Sequence, residues 1–131
     1  MKYFLCAFDA AFLGIPSECT QRVISVSRKQ SSVCETEEQH IFISLPLLFG
    51  RADVPAPHGI VLKSENKEKQ ITLLAPLLDI DYEIPDDSIF TVPKAVGAKL
   101  RYLKGACFIK KDREERPVYI VDIEKLTEDF P

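Results

Sequence analysis

Glycines, closely spaced cysteines and long apolar runs are scarce in this chain of 131 residues. Its five glycines build neither a Gly-x-Gly-x-x-Gly nor a Gly-x-x-x-x-Gly-Lys phosphate loop, which argues against a nucleotide-dependent enzyme. The four cysteines include no Cys-x-x-Cys pair, which argues against a zinc ribbon or a thioredoxin-type site. No stretch approaches the ~18 uninterrupted apolar residues of a membrane-spanning helix. The sequence therefore lacks the common cofactor-binding motifs and a helical membrane span.

An excess of positive charge is also missing. Seventeen Lys and Arg residues face twenty Asp and Glu residues, so the net charge is -3. The basic pairs Arg28-Lys29 and Lys110-Lys111 are too few to line a phosphate groove, and nucleic acid is not an expected partner. Hydrophobic residues make up 46% and charged residues 28%, a balance typical of a globular protein and not of a disordered one. The length favours a single domain.

The amino terminus and the cysteines both bear on the compartment. The apolar run at 3–8 ends at Asp9 and is shorter than the ~7 to 15 residues of a signal-peptide core, so an export signal is not expected. The dispersed cysteines are typical of small buried hydrophobic residues in a reducing compartment. We therefore expect a cytoplasmic protein.

Short β-type runs separated by turn signals dominate the chain. Alternating or β-branched patterns predict strands at 2–8, 11–16, 21–26, 40–44, 59–62, 70–74, 79–84, 105–109 and 118–121. Short helices are predicted at 45–50, capped by Ser44 and stopped by Gly50, and at 122–129, capped by Asp122. The polar stretch 28–39 is predicted as a loop or a weak hairpin tip, and 110–117 as the connection of the last hairpin. Many short strands of this kind indicate an all-β barrel or sandwich, with 51–57 as the internal linker.

Candidate catalytic and metal-binding residues are few. The chain has two histidines, His40 and His58, and neither accompanies a nucleophile-elbow motif, so a structural or surface role is favoured. Cys34 together with the two histidines matches no zinc-ligand spacing. The acidic run 79–87 alternates with apolar residues and lacks the central glycine of a calcium loop. A small metal-dependent enzyme on a β-barrel stays open only as a weaker alternative.

Four stretches, taken in order, carry a family resemblance. The closing segment reads Tyr102-Leu103-Lys104-Gly105, a strand and a charged turn, and then Arg116-Pro117-Val118-Tyr119-Ile120-Val121-Asp122-Ile123-Glu124-Lys125-Leu126. The opening hairpin at 3–15, the strand-to-helix junction at 43–50 and the strands within 60–84 agree with it in order and spacing. Together they resemble the CheW-like domain, the coupling module of bacterial chemotaxis.

This resemblance implies a fold and a division of the chain. The fold would be all-β, with two intertwined five-stranded SH3-like β-barrel subdomains and short helices. The single domain would span 1–131, with one subdomain at about 1–52 and the other at about 57–131, and with strands shared between them.

The resemblance also implies a function. CheW-like proteins are non-enzymatic adaptors that couple the cytoplasmic tip of a chemoreceptor to the regulatory domain of a CheA-type histidine kinase. This chain would accordingly need no cofactor or metal, would bind proteins and not nucleic acid, and would reach the membrane only through the receptor complex. The alternative is a CheW-fold protein-binding module of a pathway outside chemotaxis.

Departures from the family pattern predict the partner-binding site. The family hairpin Gly-x-x-Asn-Leu-Arg-Gly is replaced at 34–37, where Thr36 and Glu37 stand at the Arg and Gly positions. The pattern Val-x-Glu-Val/Ile corresponds here to Thr20-Gln21-Arg22-Val23, so a guanidinium replaces a carboxylate. A reversed charge would reverse any ion pairing with the partner. We therefore predict Thr20, Arg22 and Val23 as partner-binding residues, with a partner that differs from the usual receptor tip or has co-varied with it.

Overall fold

The computed structural model describes residues 1–8, 11–64, 69–91 and 101–130, and most of them lie in strands. The strands are β1 (Lys2–Phe8), β2 (Ala11–Pro16), β3 (Thr20–Ser25), β4 (Cys34–Glu37), β5 (His40–Ser44), β6 (His58–Leu62), β7 (Gln70–Ala75), β8 (Leu77–Glu83), β9 (Leu103–Lys111) and β10 (Glu114–Val121). The α-helices are α1 (Leu45–Leu48) and α2 (Ile123–Asp129), and single 3-10 turns occupy Ser17–Cys19 and Asp86–Ser88.

The strands form two five-stranded sheets, each belonging to one compact unit of the chain. Unit 1 consists of Met1–Ser17 and Leu78–Pro131, and its sheet has the order β8-β1-β2-β10-β9. Unit 2 consists of Glu18–Leu77, and its sheet has the order β3-β6-β7-β5-β4. Two five-stranded sheets with few short helices confirm the predicted all-β class.

The division between the units differs from the boundary expected at 51–57. That segment lies inside unit 2, between α1 and β6, and the chain passes between the units after Ser17 and again after Leu77. The reason is that β2 pairs in parallel with β10, for example Phe12 with Val118. The amino-terminal hairpin therefore completes a sheet whose other strands come from the carboxyl-terminal half.

Alternating apolar residues build the core of unit 1. The odd-numbered side chains of β1 face this core, as the period of two predicts for a strand. Its buried members are Tyr3, Leu5, Phe12, Ile84, Cys107, Val118 and Ile120. Gly14 of β2 lies under it, and a Cβ there would come within 3.0 Å of the Ile120 side chain. The predicted β1–β2 hairpin is confirmed, while its turn at 9–10 lies outside the described residues.

Unit 2 contains the predicted β6–β7 hairpin and one strand that the sequence did not predict. β6 and β7 are antiparallel, and β5 lies parallel to β7. The core residues of this unit include Ile41, Ile43, Leu45, Ile60, Leu73 and Leu74. The stretch 28–39, predicted as a loop or a weak hairpin tip, contains this strand, because 34–37 form β4 and pair with β5 in a hairpin. A polar segment can form a strand at the end of a sheet, where one neighbour supplies the ladder and few side chains need burial.

Capping residues begin and end α1 as predicted, and the same kind of cap begins α2. The Ser44 hydroxyl accepts a hydrogen bond from the Leu47 amide at 3.3 Å, and Gly50 has a φ of 73° after the helix. The Asp122 carboxylate accepts one from the Lys125 amide at 3.1 Å. These contacts satisfy amide groups that have no partner within a helix.

The hairpin of β9 and β10 is longer than predicted. Its connection is not the whole of 110–117 but the two residues Asp112 and Arg113, which have φ values of 53° and 65°. Positive φ at both central residues is the signature of a type I′ turn, whose twist matches that of a hairpin. The sequence signal was missed because neither residue is Gly or Asn.

Candidate partner-binding site

The three predicted partner-binding residues all lie on β3, at one end of the sheet of unit 2. Thr20 is 8% exposed, Val23 is half-buried, and Arg22 is exposed. β-branched Val23 and Ile24 favour the extended backbone that brings them there. The strand therefore offers solvent one cation and some apolar surface, while Thr20 is largely buried.

β3 pairs with β6 in an antiparallel register that is interrupted once. Arg22 is opposite Val61 and Ser25 is opposite His58, and the register shifts between Thr20 and Arg22. Such an irregularity increases the local twist and redirects the side chains beside it.

A glycine in β6 allows the side chains of β3 to lie close to the sheet. A Cβ at Gly59 would come within 2.8 Å of Val26 Cγ2, 2.9 Å of Thr72 Cγ2 and 3.0 Å of Ile24 Cγ1. Real side chains do not approach so closely, so any larger residue at this position would push Ile24 and Val26 away. Gly59 thus supports the surface that β3 presents.

A groove of about 890 Å³ opens where β3 ends. Its lining includes the chain from Val26 to Ser31 and the proline-containing stretch 52–57, which a hydrogen bond of 2.9 Å from the Val26 amide to the Pro57 carbonyl oxygen joins. Buried Ser44, Pro46 and Leu74 lie among its lining residues. The stretch 51–57, expected as the internal linker, therefore lines this groove from residue 52 onward.

Arg28 holds the segment after β3 against β4 and β5. Its guanidinium lies 4.4 Å from the centroid of the Phe42 ring. It donates hydrogen bonds to Glu37 Oε2 at 2.8 Å and to Glu35 Oε1 at 3.4 Å. Gln30 adds to this attachment by donating to the carbonyl oxygen of Phe42 at 3.0 Å. We call Arg28, Glu35, Glu37 and Phe42 the Arg28 cluster.

The electrostatics of the Arg28 cluster favour ionised Glu35. Backbone amides of Ser32 and Ser31 donate to its carboxylate at 3.1 and 2.8 Å, and together with Arg28 they lower the pKa of Glu35. This cluster was not predicted, since the stretch 28–39 has no apolar period. The available signal was a lone basic pair followed by several glutamates.

Unit 1 carries an exposed aromatic pair that the sequence did not predict. Phe90 and Phe108 are 51% and 58% exposed, and their ring centroids are 6.1 Å apart. Phe90 pairs with Ala106 of β9 through two backbone hydrogen bonds of 2.9 Å. Exposed aromatic residues are typical of surfaces that contact other proteins.

Metal-ligand clusters and cysteine thiols are the other candidate sites in the described part of the chain. No group of three or more His, Cys, Asp or Glu residues within 1–8, 11–64, 69–91 and 101–130 could hold a metal ion. Cys6 and Cys107 are buried as predicted, and burial raises the pKa of the Cys6 thiol to about 12. Cys19 and Cys34 are only half-buried, so the prediction of burial fails for this pair. In the same parts of the chain, no helix is long and apolar enough to cross a membrane.

Comparisons with known proteins support the fold through structure and not through sequence. No protein-family model and no curated protein matches the chain. The chain is similar to the crystal structure of the scaffolding protein TtCheW from Thermoanaerobacter tengcongensis, with a TM-score of 0.64 and 16% sequence identity. The match covers 92% of this chain and 87% of that one. Together with the two five-stranded sheets, this likeness establishes that the chain has a CheW-like fold.

Proposed function

We propose that this chain is a non-enzymatic adaptor that couples a chemoreceptor-like protein to a CheA-type histidine kinase in bacterial signal transduction. The observation that carries the proposal is the likeness in fold to a scaffolding protein over nearly the whole chain. The sequence motifs that resemble the CheW-like domain support it independently of the coordinates. A scaffold requires binding surfaces and no catalytic centre, in keeping with the arrangement around β3.

The expected partners are the regulatory domain of the kinase and the cytoplasmic tip of the receptor. The protein would work in the cytoplasm and would approach the membrane only through the receptor complex. A net charge of -3 gives no attraction to nucleic acid or to an anionic lipid surface. Both partners are therefore proteins.

The binding site that we propose includes Thr20, Arg22 and Val23. Arg22 carries the exposed charge of β3 and stands where the family pattern has a carboxylate. Charges at the rim of an interface act mainly on partner choice and association rate. We expect the matching surface of the natural partner to be acidic around Arg22.

Isothermal titration against the regulatory domain of the host's CheA-type kinase, and separately against the receptor tip, tests this proposal. We expect micromolar binding that Arg22→Glu weakens by about tenfold, because the substitution places like charges opposite each other. Lys104→Glu is the matched control, since it reverses an exposed charge on β9, in the sheet of unit 1.

Each outcome of this titration decides a different part of the proposal. Binding that Arg22→Glu weakens more than Lys104→Glu supports both the adaptor function and the site. Equal effects of the two substitutions would reject the site and keep the adaptor. Absence of binding to both partners would leave a CheW-fold module that acts outside chemotaxis.

A further inference from the structure

The described parts of the two sheets have four end strands, and these differ in how their outer edges are protected. β8 and β9 end the sheet of unit 1, and β3 and β4 end the sheet of unit 2. An end strand presents a row of backbone N–H and C=O groups that can pair with another chain. Natural proteins therefore cover, charge or distort such edges unless the edge binds a partner.

Both end strands of unit 1 are protected. Phe90 covers β9, because its amide and carbonyl groups pair with those of Ala106 at 2.9 Å. β8 is interrupted by Asp81, which has a φ of 58°, and is lined by acidic side chains. Asp79 of the same strand forms an ion pair with Lys111 at 3.3 Å. A left-handed residue and charged side chains both oppose the addition of a flat strand.

β4 is protected in another way. It has only four residues, and the chain before it turns back onto it. The amides of Ser31 and Ser32 donate to Glu35, and Arg28 bonds to both Glu35 and Glu37. β4 is therefore a short end strand whose two glutamates are bonded to the chain that precedes it.

The outer edge of β3 is irregular only at its start, where the register shifts between Thr20 and Arg22, and the ladder from Arg22 to Ser25 is regular. The Val26 amide donates to the Pro57 carbonyl oxygen at 2.9 Å, which fixes the phase of the ladder between β3 and β6. Since pairing alternates along an antiparallel ladder, the backbone groups of Ile24 also face β6, and those of Val23 and Ser25 point away from it. No other strand of the described residues lies beside this edge.

The side chains of β3 are accessible along the same edge. Arg22 and Ser25 are exposed, Ile24 is 36% exposed, and Val23 is half-buried. Arg22 and Ile24 are two positions apart and lie on one face of the strand. A neighbouring strand would therefore meet one cation and one apolar side chain in alternate positions.

We infer that the outer edge of β3 accepts an extended segment of a partner protein as an added strand, paired through the backbone groups of Val23 and Ser25. This inference rests on the proposed adaptor function and names the form in which the partner binds. The segment would carry a carboxylate facing Arg22 and, two residues along, an apolar side chain facing Ile24. Main-chain hydrogen bonds provide affinity in this mode of recognition, and alternate side chains provide specificity.

A single proline substitution in β3 distinguishes strand addition from binding through side chains alone. Ser25→Pro removes an outward amide and places a ring at the edge, so binding to the kinase regulatory domain or the receptor tip should weaken by at least about tenfold. Ser25→Ala is the matched control, which keeps the amide and should bind within about twofold of the unchanged protein. Circular dichroism and thermal unfolding of both variants check that the fold is kept.

Hydrogen exchange of single amides, followed by NMR in the unsubstituted protein, gives a readout that does not depend on a variant. The amides of Val23 and Ser25 should exchange fast in the free protein and become protected in the complex with whichever of the two partners binds. Binding with equal affinities of Ser25→Pro and Ser25→Ala, or without protection of these amides, would overturn strand addition and keep the adaptor. No binding by the unsubstituted protein would overturn both.

Discussion

The two units have the same strand arrangement, although they are assembled from the chain in different ways. Unit 2 is continuous, and its strand order is β3-β6-β7-β5-β4. Unit 1 shows the same order when it is traced from β8 through α2 and then from β1 to β2. In both units the third strand precedes a capped helix and lies parallel to the last strand. The arrangement thus depends on the pairing pattern and not on continuity of the chain.

The contacts that follow the first strand differ in chemistry between the units. In unit 2 the segment after β3 is attached by the guanidinium of Arg28, which lies on Phe42 and bonds two glutamates. In unit 1 the segment after β8 is attached by the backbone of Phe90, whose ring stacks on Phe108 in solvent. The same topology therefore accepts either an ionic or a backbone attachment at this point, and the backbone attachment leaves the ring of Phe90 exposed beside that of Phe108.

The two buried leucines of the helices should have the largest effect on the free energy of unfolding. Leu45 of α1 and Leu126 of α2 are both fully buried, so each Leu→Ala substitution should lower the free energy of unfolding by roughly 2–5 kcal/mol. Urea unfolding followed by circular dichroism measures both losses. Leu47→Ala is the control, since Leu47 is half-buried in α1 and should cost less. A loss below about 1 kcal/mol for Leu126→Ala would show that α2 does not stabilise its unit as α1 does.

A smaller effect is expected from the attachments themselves. Arg28→Met removes a cation over an aromatic ring and two ion pairs, which should destabilise the protein by roughly 1 kcal/mol. Phe108→Ser changes an exposed side chain and should cost less. Thermal unfolding compares the variants, with Arg28→Lys to separate charge from the stacked planar group. If Phe108→Ser were the more damaging, the aromatic pair would be the structural attachment and not a free surface.

Local patterns were sufficient to predict most elements of the fold. The alternation in β1, the Ser44 and Gly50 signals around α1 and the Asp122 cap of α2 each concern a few neighbouring residues. The pairing of β2 with β10 joins residues about a hundred positions apart, and no local pattern encodes it. Because of this pairing, the unit boundaries do not coincide with the prolines near 51–57.

The candidate site was less predictable than the fold. The family pattern indicated Thr20, Arg22 and Val23, but it could not show that β3 ends a sheet. That property depends on which strands pair, and it is what makes the backbone of β3 available. Arg28 and Phe108 were missed because a polar loop and an exposed aromatic residue leave no periodic signal.

The smallest expected effect is the acid response of one surface carboxylate in each unit. In unit 1, Asp129 accepts hydrogen bonds from Arg101 Nε at 2.6 Å and from the Tyr102 hydroxyl at 2.9 Å, which lower the pKa of Asp129. In unit 2, the backbone amides of Ser32 and Ser31 and the guanidinium of Arg28 lower the pKa of Glu35.

A lowered pKa in the folded state fixes the sign of the pH dependence. The stabilisation is fully present above the unfolded pKa, which is about 3.9 for Asp and 4.3 for Glu, and it is lost as pH falls through the lower folded value. Asp129→Asn and Glu35→Gln should therefore melt below the unsubstituted protein at pH 7, and the gaps should close in acid. Melting curves from pH 7 down to pH 2 measure this, with Glu128→Gln as a neighbouring control whose contact with Lys125 is 3.9 Å long. A gap that stays constant in acid would mean that these carboxylates act by packing and not by charge, and a gap in one unit alone would limit the electrostatic attachment to that unit.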